Sequence, residues 1–417
     1  MSQSLTSAHN NNSSQSSHQS GKKRKFILAY SGGLDTSIIA TWLKEEYDCE
    51  LITYTANLGH DCDFEAIKAK AIKSGATKAI VEDVKAEFLE KYVWNLIKSG
   101  AKYETKYLMG TISRYLIGEK LAKLALAENA DAIVHGATGK GNDQVRFEMS
   151  ISAIAPDVEI IAPWRTWDMK SREDMIDYAK KHDIEITATR EKPFSTDENI
   201  WYISHEGGVL EDCKNESPED MYEMTQHPKR ASNEDEVVEI DFEQGVPTAV
   251  NGKKLTPLEI METLNKIGLK HGIGCLDIVE SRVVGMKSRG VYEFPAGEIL
   301  FQAHGLLESI VLDRDTLHYK QKMAMDYADL VYDGKWFCCL RQAMEAYINH
   351  TQQYVCGKVK VRLYKGNVMP VYIDSKHSLY NASLAGFTMN DDYDQRDAAG
   401  FIKISSLPAK TSFSRKV

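Results

Sequence analysis

The sequence predicts an α/β fold: a parallel sheet covered by helices, then an α+β region and a C-terminal tail. Three observations predict it. Short apolar runs alternate with helical periodicity from residue 26 to residue 190. Two glycine-rich segments in that region each follow an apolar run and precede a helical pattern. Beyond residue 190 the rhythm changes to hairpins and long helices.

Taken in order, "FILAY" (26–30) is a strand, and Leu34, Ile38 and Trp42 set a helix over residues 34–46. "ELITYTAN" (50–57) is a strand, residues 63–74 a helix, and "KAIVED" (78–83) a strand. Residues 86–99 are helical, with Phe88, Tyr92 and Leu96 on one face, and residues 114–128 are helical again. "AIVHGAT" (132–138) and "EIIAPW" (159–164) are strands. Ser171 with Asp174 three residues on is a capping box, opening a helix that leads to the strand "IEITAT" (184–189).

In the second part, Thr256-Pro257-x-Glu259 starts a helix with Thr as cap and Pro at the first position. "DIVESRVVGM" (277–286) reads as a strand and "EILFQAH" (298–304) follows. Helical patterns cover residues 306–331 and 335–353, and residues 358–373 form a hairpin with Lys365-Gly366-Asn367 at its turn. The tail, residues 409–417, is basic and polar and is expected to pack on a neighbouring subunit. There is no internal repeat. The expected division is a disordered extension (1–24), a first domain (25–190), a second domain (191–390) and a tail (391–417).

Composition narrows the class. A chain of 417 residues suits two domains better than one. With 43% hydrophobic and 27% charged residues it reads as soluble, and no apolar run is long enough to span a bilayer. Fifty-one basic against 60 acidic residues give a charge of −9, which argues against a general nucleic-acid surface but leaves a local basic groove open. The seven cysteines include no C-x-x-C pair, so reduced thiols in a cytoplasmic protein are expected. Residues 1–24 are too polar to form a core. Their closing "KKRK" either flanks the first strand or serves as a nuclear signal, and no apolar segment makes them a secretory leader.

The segment "AYSGGLDTS" (29–37) joins a strand to a helix. A glycine turn there brings backbone N–H groups and the positive helix start to an anion, and Ser31, Thr36 and Ser37 add hydroxyls. It is neither the G-x-x-x-x-G-K-[ST] loop nor G-x-G-x-x-G. An acid would repel phosphate, so Asp35 either holds Mg²⁺ against the phosphates or complements the helix dipole. The segment "HGATGKGNDQVRFE" (135–148) follows another strand. A helix starting at Asn142 puts Asn142 and Arg146 on one face, where Arg146 offers a donor fork to a carboxylate and Asp143 an acceptor to an ammonium. His135 belongs to this loop with no role as a base, since a lone strand-end His is usually packed.

The string S-G-G-x-D-[ST]-S resembles the PP-loop of the ATP pyrophosphatase superfamily. Together "AYSGGLDTS", "HGATGKGNDQVRFE", "STDEN", "DIVESR" and "MKSRGVYE" resemble, in order, the motifs of the argininosuccinate synthase family over residues 25–405. The resemblance implies an adenine nucleotide alpha hydrolase-like PP-loop domain, a synthetase domain, and a homotetramer joined through the tail. It implies ligation of citrulline and aspartate with ATP and Mg²⁺, through citrullyl-AMP, releasing AMP and pyrophosphate.

Carried over, the ATP site is Ala29, Tyr30, Ser31, Gly32, Gly33, Leu34, Asp35, Thr36, Ser37 and Ala56. Val134, His135, Gly136, Ala137, Thr138, Gly139, Lys140, Gly141 and Asn142 complete it. Asp35 and Lys140 take the catalytic roles. Thr138, Asn142 and Asp143 match the aspartate positions, and Tyr107, Thr111, Asn142, Arg146, Ser195, Ser204, Glu280 and Tyr292 those for citrulline. Glu280 is to accept the citrulline ammonium and Arg146 its carboxylate.

"GTISRYL" (110–116) departs from the family's pattern by being one residue shorter, so Thr111 or Ser113 replaces the expected serine, Arg114 keeps the Arg role, and Tyr115 replaces a Pro. The segment after "APWR" is also shorter. The alternative is a PP-loop enzyme adenylating another substrate such as tRNA. It would need a cysteine pair and a basic groove.

Overall fold

The computed structural model of the protein describes residues 23–169, 172–185, 194–386 and 393–415. Its first sheet is five-stranded and parallel. β1 (Lys25–Ala29), β2 (Glu50–Asn57), β3 (Lys78–Asp83), β4 (Ala132–Val134) and β5 (Glu159–Ile161) lie in the order β3-β2-β1-β4-β5. Phe26, Ile27 and Leu28 are fully buried, as a strand covered on both faces requires.

The helices of this half are α1 (Leu34–Tyr47), α2 (Phe64–Lys73), α3 (Lys85–Phe88), α4 (Trp94–Ser99), α5 (Ser113–Glu128), α6 (Asp143–Ile154) and α7 (Arg172–Lys181). β1 sits between β2 and β4, so the loops leaving β1 and β4 open side by side at the carboxyl ends of the strands. This is the switch point at which open α/β sheets bind ligands.

The second half carries two antiparallel sheets. β6 (Ser195–Asn199), β7 (Tyr202–Glu206), β11 (Cys275–Ser281) and β12 (Lys287–Glu293) form one, in the order β11-β12-β7-β6. β8 (Glu236–Glu243), β9 (Val246–Val250), β10 (Lys253–Lys254), β13 (Gly357–Tyr364) and β14 (Asn367–Asp374) form the other. The helices are α8 (Pro257–Lys270), α9 (Pro295–Val311), α10 (Arg314–Tyr332), α11 (Cys339–Thr351), α12 (Ala382–Ala385), α13 (Asp397–Ser405) and α14 (Leu407–Ser414). The Thr256–Glu259 capping box forms as its sequence requires.

Several boundaries differ from the sequence reading: "AIVHGAT" is a strand only over Ala132–Val134, and the helix read over 335–353 begins at Cys339. The helix over 86–99 is interrupted by a π turn, Leu89–Val93. The wider turn stacks Tyr92 on Trp336, with ring centroids 4.8 Å apart. The pattern over 306–331 breaks at Asp313, whose carboxylate accepts the Asp315 and Thr316 N–H groups at 3.1 and 3.0 Å and starts α10 anew. The run 277–286 is a strand only to Ser281. Arg282 N–H reaches Met286 O at 2.8 Å, and Gly285, at φ +90°, completes a turn that leaves Val283 and Val284 exposed. The hairpin turn is Lys365-Gly366 alone, both at positive φ, and Asn367 already pairs in β14. "EIIAPW" leaves the sheet at Ala162 for a 3₁₀ turn at Pro163–Arg165. Ser171 and most of "IEITAT" lie outside the described residues, as does most of the extension 1–24.

One apolar core runs from beneath the parallel sheet into the second half, through Ile27, Leu108, Tyr115, Trp201, Phe294 and Tyr327. A second core, with Phe26, Leu28, Ile39 and Trp167, fills the sheet's other face. The first core brings the halves close at Gly110, where a Cβ would stand 2.1 Å from the Tyr202 ring. Gly110→Ala is therefore expected to cost about 1–3 kcal/mol by overpacking. Urea denaturation reads this directly, and an unchanged midpoint would show that the Tyr202 ring yields.

Candidate active site

The first loop follows from β1. Gly32 takes φ +78°, and a Cβ there would lie 2.9 Å from Ile67, so the turn tolerates little but glycine. Gly33 caps α1 without a side chain. Ser37 Oγ donates to Gly33 O at 2.8 Å, and the Ser31 and Thr36 hydroxyls meet at 3.2 Å. The helix start, which Gly33 leaves without a side-chain cap, carries the positive end of the helix at this loop.

Ala29, Tyr30, Ser31, Thr36 and Ala56 line a cavity at this loop, with Tyr54, Leu58 and His60, and with Gly136 and Ala137 from the second loop. A second cavity adjoins it, lined by Tyr107, Thr111, Thr138, Gly141, Asn142, Arg146, Ser204, Glu280 and Tyr292. The two share a wall of Arg114, Gly136, Ala137, Asp143 and Asp197. Beyond that wall the first cavity is mostly apolar and hydroxyl, with His60 and Glu198, whereas the second adds Arg146, Glu206, Glu280 and Arg282.

Salt bridges organise the shared wall. Arg114 Nε donates to Asp143 at 2.9 Å and its Nη2 to Asp197 at 2.6 Å, while Arg146 Nη1 donates to the other Asp143 oxygen at 3.1 Å. Burial pushes the Asp143 carboxyl up, but Arg114 and Arg146 together hold it below its ordinary value. Asp143 is thus flanked by two guanidinium groups, where the sequence suggested an ammonium partner. Arg146, buried, gives Nε and Nη2 to the carbonyl of Tyr332 at 3.3 and 3.1 Å, so its fork is anchored to the end of α10. Glu280 receives the hydroxyls of Tyr292 and Tyr332. Asn142 donates to the Tyr332 hydroxyl at 2.9 Å and accepts the Val283 N–H at 3.0 Å.

The remaining sequence-derived residues support the site from outside its walls. Val134 and Ser37 are buried, and His135 is buried with Nε2 3.0 Å from Glu148 and Nδ1 accepting the Ala137 N–H. That places His135 as a packed brace of the loop. Gly32 O accepts Lys70 Nζ at 2.8 Å, while Leu34 is half-buried against the second core. Asp35 is half-buried in the first turn of α1. Gly139 and Lys140 are exposed, and the Lys140 carbonyl accepts Arg282 Nη1 at 3.2 Å. Ser195 is exposed and lines an adjoining groove with Glu206, Arg282 and Lys287.

In the shortened segment, Thr111 and Arg114 reach the cleft and Ser113 is buried in α5. Tyr115 leaves the site altogether: it stacks on Trp336 and donates to Val331 O. Sequence reasoning missed Asp197, Glu206, Arg282 and Tyr332. Asp197 and Arg282 stand inside quoted motifs, whereas nothing marked Glu206, or Tyr332 at the end of an ordinary helical pattern. Glu206, whose pKa is raised by burial against the pull of Arg282, adds a further carboxylate beside Glu280.

Fold and cleft together define an α/β protein with a parallel sheet, whose cavity at the first glycine loop opens into a second cavity. The model of the arginosuccinate synthase N-terminal HUP domain matches residues 25–185, and that of the arginosuccinate synthase C-terminal domain matches residues 194–412. An argininosuccinate synthase of Carboxydothermus hydrogenoformans is 54% identical over 387 residues, covering 93% of this chain and 96% of that protein. Those of Clostridium kluyveri and a Roseiflexus species are 52% and 53% identical, each covered over 97% of its length by 93% and 94% of this chain. The chain belongs to the argininosuccinate synthase family.

Asp143→Ala leaves Arg146 and one face of Arg114 without their anion. Its cost at neutral pH is expected to be about 2–3 kcal/mol, less than for a fully enclosed pair because the cleft is open. A carboxyl held low stabilises the fold above its ordinary pKa of 3.8 and loses that contribution as pH falls through the folded value. The gap between variant and wild type should persist down to about pH 4 and close below it. Urea titrations at stepped pH measure it; a gap already closed near pH 6 would remove Asp143 as the cause.

Proposed function

We propose that this protein joins citrulline to aspartate at the expense of ATP, forming argininosuccinate, AMP and pyrophosphate through a citrullyl-AMP intermediate. The observation that carries the reading is the wall common to the two cavities. A nucleotide in one and a ureido amino acid in the other would meet at Arg114, Gly136 and Ala137.

A ureido carbon is a poor electrophile. In the first step its oxygen attacks the α-phosphorus of ATP and pyrophosphate leaves. In the second the aspartate amine, having lost a proton, attacks the activated carbon and AMP leaves. The protein's task is alignment and charge stabilisation. Ser31, Thr36 and the start of α1 receive the phosphates. Lys140, exposed on the rim of the second loop, supplies a positive charge to them. Glu280 takes the citrulline ammonium and Arg146 its carboxylate, with Tyr107, Thr111, Ser195, Ser204 and Tyr292 around it. Thr138, Asn142 and Asp143 receive aspartate beside the wall.

Magnesium belongs with the nucleotide in this reading. Among the described residues no three His, Cys, Asp or Glu side chains come together as a metal cage. Mg²⁺ that keeps its waters and the phosphates as ligands needs no such cage, and a single carboxylate such as Asp35 in the first turn of α1 fits it. The ion would neutralise charge on the phosphates.

The reading also places the protein in the cytoplasm as a homotetramer. All seven cysteines are free thiols, and no described helix is long and apolar enough to cross a membrane. Phe401, Ile404 and Phe413 of the C-terminal helices are about 70% exposed on one chain, an apolar surface suited to a second copy.

The test is product analysis. AMP and pyrophosphate should appear only when citrulline and aspartate are present together; ADP as product would overturn the reading. Asp35→Ala should lower kcat by about 100-fold or more while leaving citrulline binding within about twofold, as expected where charge stabilisation in the transition state is lost. Equal turnover without that carboxylate would remove its metal role. Light scattering should return four times the chain mass, and a monomer at micromolar concentration would contradict the assembly.

A further inference from the structure

Tyr332 is the last residue of α10 and is almost wholly buried, yet it touches the charged cavity. Three of its parts engage three different site residues. Its hydroxyl donates to Glu280 Oε2 at 2.7 Å and accepts from Asn142 Nδ2 at 2.9 Å. Its carbonyl, one of the acceptors a helix end leaves unpaired, receives Nε and Nη2 of Arg146. Its ring lies between Tyr103, stacked with centroids 3.5 Å apart and planes within 4°, and the Arg146 guanidinium 5.0 Å from the centroid.

We propose that Tyr332 is the positioning residue that sets the amino-acid end of the cleft, fixing the anionic and cationic receptors of a zwitterionic α-amino acid at one spacing. The inference rests on the functional reading above and extends it to a residue that reading does not use. The physical argument concerns Glu280. A carboxylate buried among rings needs donors to satisfy its oxygens and to keep its orientation. Two phenols supply them, Tyr292 on one oxygen and Tyr332 on the other. Each oxygen then keeps a lone pair for a ligand ammonium, and the carboxylate plane cannot turn. The same tyrosine holds the plane of Arg146 through a different atom, so the two receptors of opposite charge share one support. ATP has no ammonium group, and its cavity does not include Tyr332.

Tyr332→Phe separates these parts, since it removes the hydroxyl and keeps both the ring and the carbonyl. Steady-state kinetics on the full-length enzyme, with the melting temperature of each variant, provide the test. Losing a hydrogen bond to a buried carboxylate should raise the KM for citrulline about tenfold or more, with the KM for ATP and the melting temperature close to wild type. Tyr332→Leu, which also loses the stack, should raise the citrulline KM further and lower the melting temperature. A citrulline KM within about twofold of wild type in Tyr332→Phe would overturn the inference, as would a rise in both KM values together with a lowered melting temperature, the mark of a purely structural residue. A wild-type enzyme that released no AMP with citrulline and aspartate would overturn the functional reading and the inference with it. An active wild type with an unaffected Tyr332→Phe would overturn the inference alone.

Discussion

The Asp143 carboxylate between Arg114 and Arg146 is the constraint on which the cleft depends. Arg114 comes from α5, Asp143 and Arg146 from α6, and the second partner of Arg114, Asp197, from β6 in the other half of the chain. Each charge would be costly alone in a partly desolvated crevice. In alternation they neutralise one another, and the chain can place two guanidinium groups where the two cavities meet. The same ion pairs span the two halves at the point where their alignment matters most.

Around that wall the donors are tied down through other groups. Arg282 reaches across to the Lys140 carbonyl, Glu206 and Ser288. Asn142 spans Val283 and Tyr332. Two of the residues the family resemblance assigns to ligands, Asn142 and Arg146, are therefore also hubs between the parallel-sheet half and the second half. Preorganisation of this kind lets charged groups act on a ligand without first rearranging. It also explains why the second half of the chain contributes so much of the cavity wall.

Much of this was legible in the sequence. The five parallel strands are apolar runs with no competing pattern, and both glycine loops declare themselves by composition. The errors fell where local chemistry competes with periodicity. Asp313 lies inside one continuous helical spacing yet caps a new helix just past the end of the first. Val283 and Val284 look like strand residues but sit on a turn made by Gly285. The π turn at Leu89–Val93 shifts a helical face by a residue without any sequence mark. In the site, Asp197 and Arg282 were missed although they stand inside quoted motifs, because the groups they meet, Arg114 and the Lys140 carbonyl, lie far off in the chain. Tyr332 was missed as well, because its hydroxyl, ring and carbonyl acquire roles only from neighbours distant in the chain.

The sequence alone determined the strand–loop–helix units, the two glycine turns and the charged side chains each loop carries. Those follow from backbone preferences and side-chain chemistry within a few residues. Only the tertiary structure decided that the two turns adjoin, since that depends on β1 lying between β2 and β4. It alone decided which partner each charge faces. Ion pairs and buried hydrogen bonds form between groups dozens to hundreds of residues apart, and their geometry is set by how the helices and sheets pack.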